Sequence, residues 1–114
     1  MLINLKKKIN FLLKENGILG IVVPPRKPSI VGGHFTLWNA GLLLYNLVMA
    51  GFDCSHYCKI LQYDYNIGVI IKKKNIKKYP ANLSMDKGDI ELLSYFFPFE
   101  VKHNFNGDIM KFNW

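Results

Sequence analysis

The chain has 114 residues, half of them hydrophobic and 14% aromatic. That is enough for one small domain with its own core and too apolar for a disordered chain. The net charge of +7 favours anionic partners, yet the single arginine, Arg26, argues against a nucleic-acid reader, which relies on arginine for bidentate contacts.

The first element in chain order is a helix. Leu2, Leu5, Ile9 and Leu12 recur at helical spacing and predict one buried stripe, with Lys6, Lys7 and Asn10 elsewhere on the wheel. Asn16-Gly17 ends it, because both residues tolerate a left-handed backbone. Ile18 to Val23 is a continuous apolar run without polar alternation, which predicts a strand covered on both faces, as in a parallel sheet. Pro24-Pro25 stops it. Residues 26–34 read as a loop. Thr36 is the expected cap of a helix from Leu37 to about Ala50, closed by Gly51, with Gly41 marking a close approach to a strand. His56 to Tyr63 and Ile67 to Ile71 predict two strands joined by a turn at Tyr63-Asp64-Tyr65-Asn66. A first strand that pairs in parallel with its successor needs the helix between them as a right-handed crossover.

Lysines follow where the hairpin meets solvent. The runs Lys6-Lys7-Lys8, Lys72-Lys73-Lys74 and Lys77-Lys78 read as solvated ends of elements. Beyond Asn75, Ser84 or Asp86 is the expected cap of a short helix through Leu92, Leu93 and Tyr95. Phe96-Phe97-Pro98-Phe99 ends it, and the aromatic tail to Trp114 is expected to fold back on a neighbouring surface.

Cys54 and Cys58 make no disulfide framework and suit a reducing, cytoplasmic setting. No cleavable signal peptide is expected, since residues 1–16 read as an amphipathic helix without a small-residue cleavage site. The longest apolar stretch, residues 37–51, is broken by Asn39 and Asn46 and falls short of the roughly 20 residues of a membrane span. Cys54, His56 and Cys58 alternate along an extended segment, and residues two apart lie roughly 6.5 Å from one another, too far to converge on one zinc ion; no metal site is expected. Asp86, Asp89 and Glu91 read as helix-start acids rather than a catalytic pair.

Three short segments carry a resemblance. Lys14-Glu15-Asn16-Gly17 leads into Ile18-Leu19-Gly20-Ile21-Val22-Val23-Pro24. Ala50-Gly51-Phe52 forms a glycine-aromatic step before the next strand. Residues 66–72 turn back beside residues 56–63. In this order the chain resembles the carboxyl-terminal half of a class I S-adenosylmethionine-dependent methyltransferase, over about residues 2 to 74. The resemblance implies an α/β fold, a partial Rossmann-like sheet built as helix, strand, helix and strand hairpin over residues 1–74. Residues 75–114 would be a short helical and aromatic extension packed on it.

The resemblance implies S-adenosylmethionine as cofactor and methyl transfer to a small-molecule or sugar-like acceptor. The family holds the cofactor with a glycine-rich turn after its first strand and an acid after its second. Neither is in this sequence, so no cofactor-binding residue is assigned and the chain alone is expected to be inactive. The implied partner is a separately encoded amino-terminal half or a further copy of the chain. Substrate-side candidates follow from the rule that ligands sit outside the carboxyl ends of parallel strands. They are Arg26 for an anionic group, His34 as a general base, Trp38 for stacking and Asn39 for hydrogen bonding. A second reading from charge alone is a basic module that binds nucleic acid or an acidic protein.

Overall fold

The computed structural model describes residues 2–25, 38–63, 66–84 and 88–114, with side chains from residue 6 onward. Helix α1 is Leu2–Leu12, strand β1 is Ile18–Val23, and helix α2 is Ala40–Met49. The hairpin strands are β2, Cys58–Tyr63, and β3, Asn66–Lys72. A one-turn helix α3, Asp89–Leu92, runs into a 3₁₀ turn at Ser94–Phe96, and a short strand β4, Lys111–Phe112, closes the chain.

This is an α/β fold, but its sheet is antiparallel throughout, which corrects the parallel pairing expected for β1. The strand order is β1-β3-β2-β4. β3 lies between β1 and β2 and is antiparallel to both, so β1 and β2 point the same way without touching. β3 and β2 take the inner places, where Ile67, Val69 and Ile71 of β3 and Cys58 and Ile60 of β2 are buried.

β1 is correspondingly an edge strand, and only alternate residues are covered. Leu19, Ile21 and Val23 pack on the core; Ile18 and Val22 are each 61% exposed. Register rows run from Leu19 through Ile71 to Cys58, and from Ile21 through Val69 and Ile60 to Phe112. On that face Leu43, Leu44, Leu47 and Val48 of α2 complete the core with Phe52, Leu93 and Phe97. At about 25 cal/mol per Å² of apolar surface, this single cluster is the main source of stability.

Helix α1 packs on α2, rotated from the expected stripe. Phe11 and Leu12 point to solvent, while Lys6, Ile9, Asn10 and Leu13 face inward. Asn10 takes an inward position because distant backbone meets it there: its Nδ2 donates to Ala50 O at 3.2 Å. The helix stops as the sequence predicts, with Asn16 at φ +63°. Lys73 is a correction to the solvated lysine run. It is buried, and its Nζ donates to the carbonyls of Asn10 and Leu13, both at 2.5 Å, capping the carboxyl end of α1.

The cap of α2 is Asn39, not Thr36, which lies outside the described residues. Asn39 is extended at φ −123°, and its Oδ1 accepts from Leu42 N at 2.8 Å. Gly51 closes α2 at φ +106°. Gly41 approaches not a strand but the loop at Gly107. In the extension, Ser84 does not cap α3; its N–H and Oγ both donate to Asp89 Oδ1, and Gly88 precedes the helix without a side-chain cap. Asp86 lies outside the described residues.

The tail folds back, as its aromatic content requires. Phe97, Phe105 and Phe112 each meet Phe99 edge-on or steeply tilted, with ring centroids 5.6 to 6.2 Å apart. β4 pairs with β2 through Ile60↔Phe112 and Leu61↔Lys111. No helix among the described residues is long and apolar enough to cross a membrane.

Candidate functional site

At the carboxyl end of β1 the chain passes through Pro24 and Pro25 and meets the start of α2. Pro24 O accepts from Trp38 N at 3.2 Å, and Pro25 bridges to Trp38. The loop at 102–110 closes over the same helix start. Asn39 Nδ2 donates to Asn106 O at 2.9 Å, Gly41 N to Gly107 O at 2.7 Å, and Gln62 N to Met110 O at 2.8 Å. Trp38, Asn39, Gln62, Asp108 and Met110 line a cavity of about 200 Å³ there.

Of the residues singled out by sequence, Trp38 and Asn39 therefore meet at one cavity. Arg26 and His34 lie outside the described residues. Trp38 is buried, and its ring carries the Lys6 ammonium at 4.4 Å from the centroid. Lys6 is itself only 5% exposed, its Nζ has no hydrogen-bond partner among the described residues, and burial lowers its pKa. A cation over an indole face is held by the ring quadrupole, so Trp38 is the group that makes this buried amine tolerable.

Asn39 uses both ends of its amide within the fold, one to cap α2 and one to hold Asn106. Replacing Asn39 with Ala is expected to cost about 2 kcal/mol, the sum of a lost cap and a lost side-chain hydrogen bond. Asn39→Asp keeps the cap acceptor and loses only the donor, so its loss should be about half as large. Urea unfolding of the two variants checks the ratio; no loss in Asn39→Asp would show that the bond to Asn106 carries nothing, and equal losses that the cap carries nothing. Gln62, Asp108, Met110 and Lys6 were missed by sequence reasoning. They come from three segments of the chain, and only their juxtaposition marks them.

The cysteines are buried and free. Among the described residues no group of three or more His, Cys, Asp or Glu side chains is placed to hold a metal. His56 points instead at Asp53, Nε2 to Oδ2 3.7 Å, and Asp53 Oδ1 accepts from Ser55 N and Oγ in a local turn.

Burial pushes the Cys58 thiol up to about 12, and burial, then Cys58, then Asp53 raise Cys54. The unfolded chain loses these protons near the ordinary value of 9.0 while the native chain keeps them. Between those values the native state binds more protons, so stability falls as pH rises. The Cys58 contribution is about 1.4 kcal/mol per pH unit. Lys6 works oppositely, gaining stability as pH climbs toward 10.5. The difference between wild type and Cys58→Ala therefore isolates the thiol. The variant's alkaline unfolding curve should fall less steeply, and parallel curves would refute the assignment.

Comparison with known proteins gives no match to a family model, to a curated protein or to a solved structure.

Proposed function

We propose that this chain is the carboxyl-terminal half of a class I methyltransferase-like sheet, inactive alone and completed by a separate half that holds S-adenosylmethionine. The observation that carries the reading is the free edge of β1. Among the described residues this strand pairs only with β3, so a row of backbone donors and acceptors is open to a further strand. The order of helix, strand, helix and hairpin, with β3 returning antiparallel beside β2, supports the same reading.

In that assembly the end of β1 and the start of α2 would form the acceptor side. Trp38 would offer an apolar wall to a small or sugar-like acceptor, and Gln62 and Asp108 polar contacts. The cofactor would supply the methyl group, and this chain would supply position.

The test is S-adenosylmethionine titration by calorimetry and amide NMR, on this chain and on a product that also contains the segment encoded immediately upstream. Saturable binding by the longer product alone is the expected result. Binding by the short chain, or by neither, would overturn the proposal.

A further inference from the structure

We infer that the open face of the sheet is a docking surface for an acidic amphipathic helix of a partner protein. The inference goes beyond the methyltransferase reading, because it concerns the sheet face rather than the edge of β1 and stands whether or not a cofactor half exists.

Helices α1 and α2 cover one face only. The register places Ile18, Gly20 and Val22 of β1 on the other face, beside Gly68, Ile70 and Lys72 of β3 and Lys59, Leu61 and Tyr63 of β2. This face holds a groove of about 470 Å³ whose wall is apolar. Trp114, 51% exposed, stands at its rim. An apolar sheet face is ordinarily buried under a second layer, and in α/β folds that layer is helical.

Two features select the occupant. The first is the pair of glycines. Gly20 and Gly68 are diagonal neighbours, since Gly20 pairs with Ile70 and Val22 with Gly68. A Cβ at Gly20 would meet nothing within 4 Å among the described residues. Glycine weakens a strand interior, and here it opens a hollow that a large apolar knob of a helix fills. The second is charge. Lys59, Lys72 and Lys111 share this face, and β1 to β4 contain no acidic residue. Acidic flanks on a helix complement that rim. A second copy laid face to face would set lysine against lysine. A nucleic-acid strand needs successive stacking platforms along the groove; Tyr63 and Trp114 stand in its lining, but Val22, Leu61 and Ile70 between the strands offer none. A bilayer calls for a protruding apolar surface, not a hollow.

The test uses a peptide of about 18 residues with Leu and Phe on one helical face and Glu on the other, and a twin with Lys in place of Glu. The acidic peptide should bind at least about tenfold more tightly than its twin, and added salt should weaken it. Amide shifts should concentrate at Gly20, Val22, Gly68 and Ile70, with the Trp114 indole. Gly20→Phe, which suits a strand and meets open space, should fold normally and lower the affinity about tenfold. Equal binding of the two peptides, shifts elsewhere, or indifference to Gly20→Phe would overturn the inference. So would the same shifts produced more strongly by oligo-dT, by phosphatidylserine vesicles or by self-association in sedimentation.

Discussion

Gly41→Val is expected to lower the unfolding free energy by about 4 kcal/mol and to release β4 from the sheet. A Cβ on Gly41 would lie 2.5 Å from Gly107 Cα and 3.1 Å from its carbonyl oxygen. Both obstacles are backbone, so no rotamer relieves them. The loop is held against the start of α2 by Gly41 N to Gly107 O and Asn39 Nδ2 to Asn106 O, so it cannot yield while these bonds stay made. The loop must therefore move. Gly41 N then loses its bond to Gly107 O, and Asn39 loses Asn106. Overpacking costs about 3 kcal/mol and the backbone bond about 1. Helix propensity offsets little of this, since valine is a mediocre helix former. Gly41→Ala should fall between, because alanine regains up to about 1 kcal/mol of propensity. Gly20→Ala, facing open space, is the control and should be near neutral. Urea unfolding gives the energies, and faster amide exchange at Lys111 and Phe112 reports the loosened strand. A Gly41→Val variant as stable as wild type would show that the loop rests on α2 without being held there.

The limits of β1 and the presence of the hairpin were legible because the signals are local. Ile18 to Val23 is an apolar run fenced by Asn16-Gly17 and Pro24-Pro25, and no distant residue is needed to bound it. Pairing direction was not legible, because the same run suits any buried strand. Which neighbour it takes depends on residues 67–71, some fifty positions away. The face of α1 was misread for a similar reason. A hydrophobicity wheel favours Leu12, yet Asn10 and Lys6 turn inward because Ala50 O and the Trp38 ring receive them. Lys73 looks like any lysine in a basic run until the end of α1 is brought above it.

The candidate site divides along the same line. Trp38 and Asn39 could be picked out because they follow the end of a strand, where ligands gather in α/β sheets. Gln62, Asp108 and Met110 carried no signal of their own. β4 is only two residues long, and it exists because β2 has a free edge at Ile60 and Leu61. The aromatic tail was legible as a burial requirement and not as a strand: Phe99, Phe105 and Phe112 had to be covered, but composition does not say by what.

Asp89→Ala should cost about 3 kcal/mol, out of proportion to its place in a four-residue helix. Asp89 is 1% exposed, and among the described residues its carboxylate gathers three donors. Ser84 N at 2.8 Å and Ser84 Oγ at 3.1 Å reach Oδ1, and the Tyr45 hydroxyl reaches Oδ2 at 3.2 Å. Tyr45 belongs to α2, so this one side chain ties the extension to the central helix across 44 positions. Burial, followed by the Asp89 charge and hydrogen bond, pushes the Tyr45 phenol up and keeps it a donor. Removing the carboxylate takes this acceptor from the half-buried Tyr45 hydroxyl and frees Ser84, which is exposed, from the bonds that hold the segment before α3 in place. Asp89→Asn keeps an acceptor for Ser84 and offers an amide to the tyrosine oxygen, so about 1 kcal/mol is the expected loss. Tyr45→Phe completes the comparison. If Tyr45 and Asp89 act through each other, the double variant Tyr45→Phe with Asp89→Ala should be less destabilised than the two single losses added together. Strict additivity in urea unfolding would mean that the Tyr45–Asp89 bond carries nothing, and that α2 and the extension are joined by their other contacts, among them Gly41 N to Gly107 O.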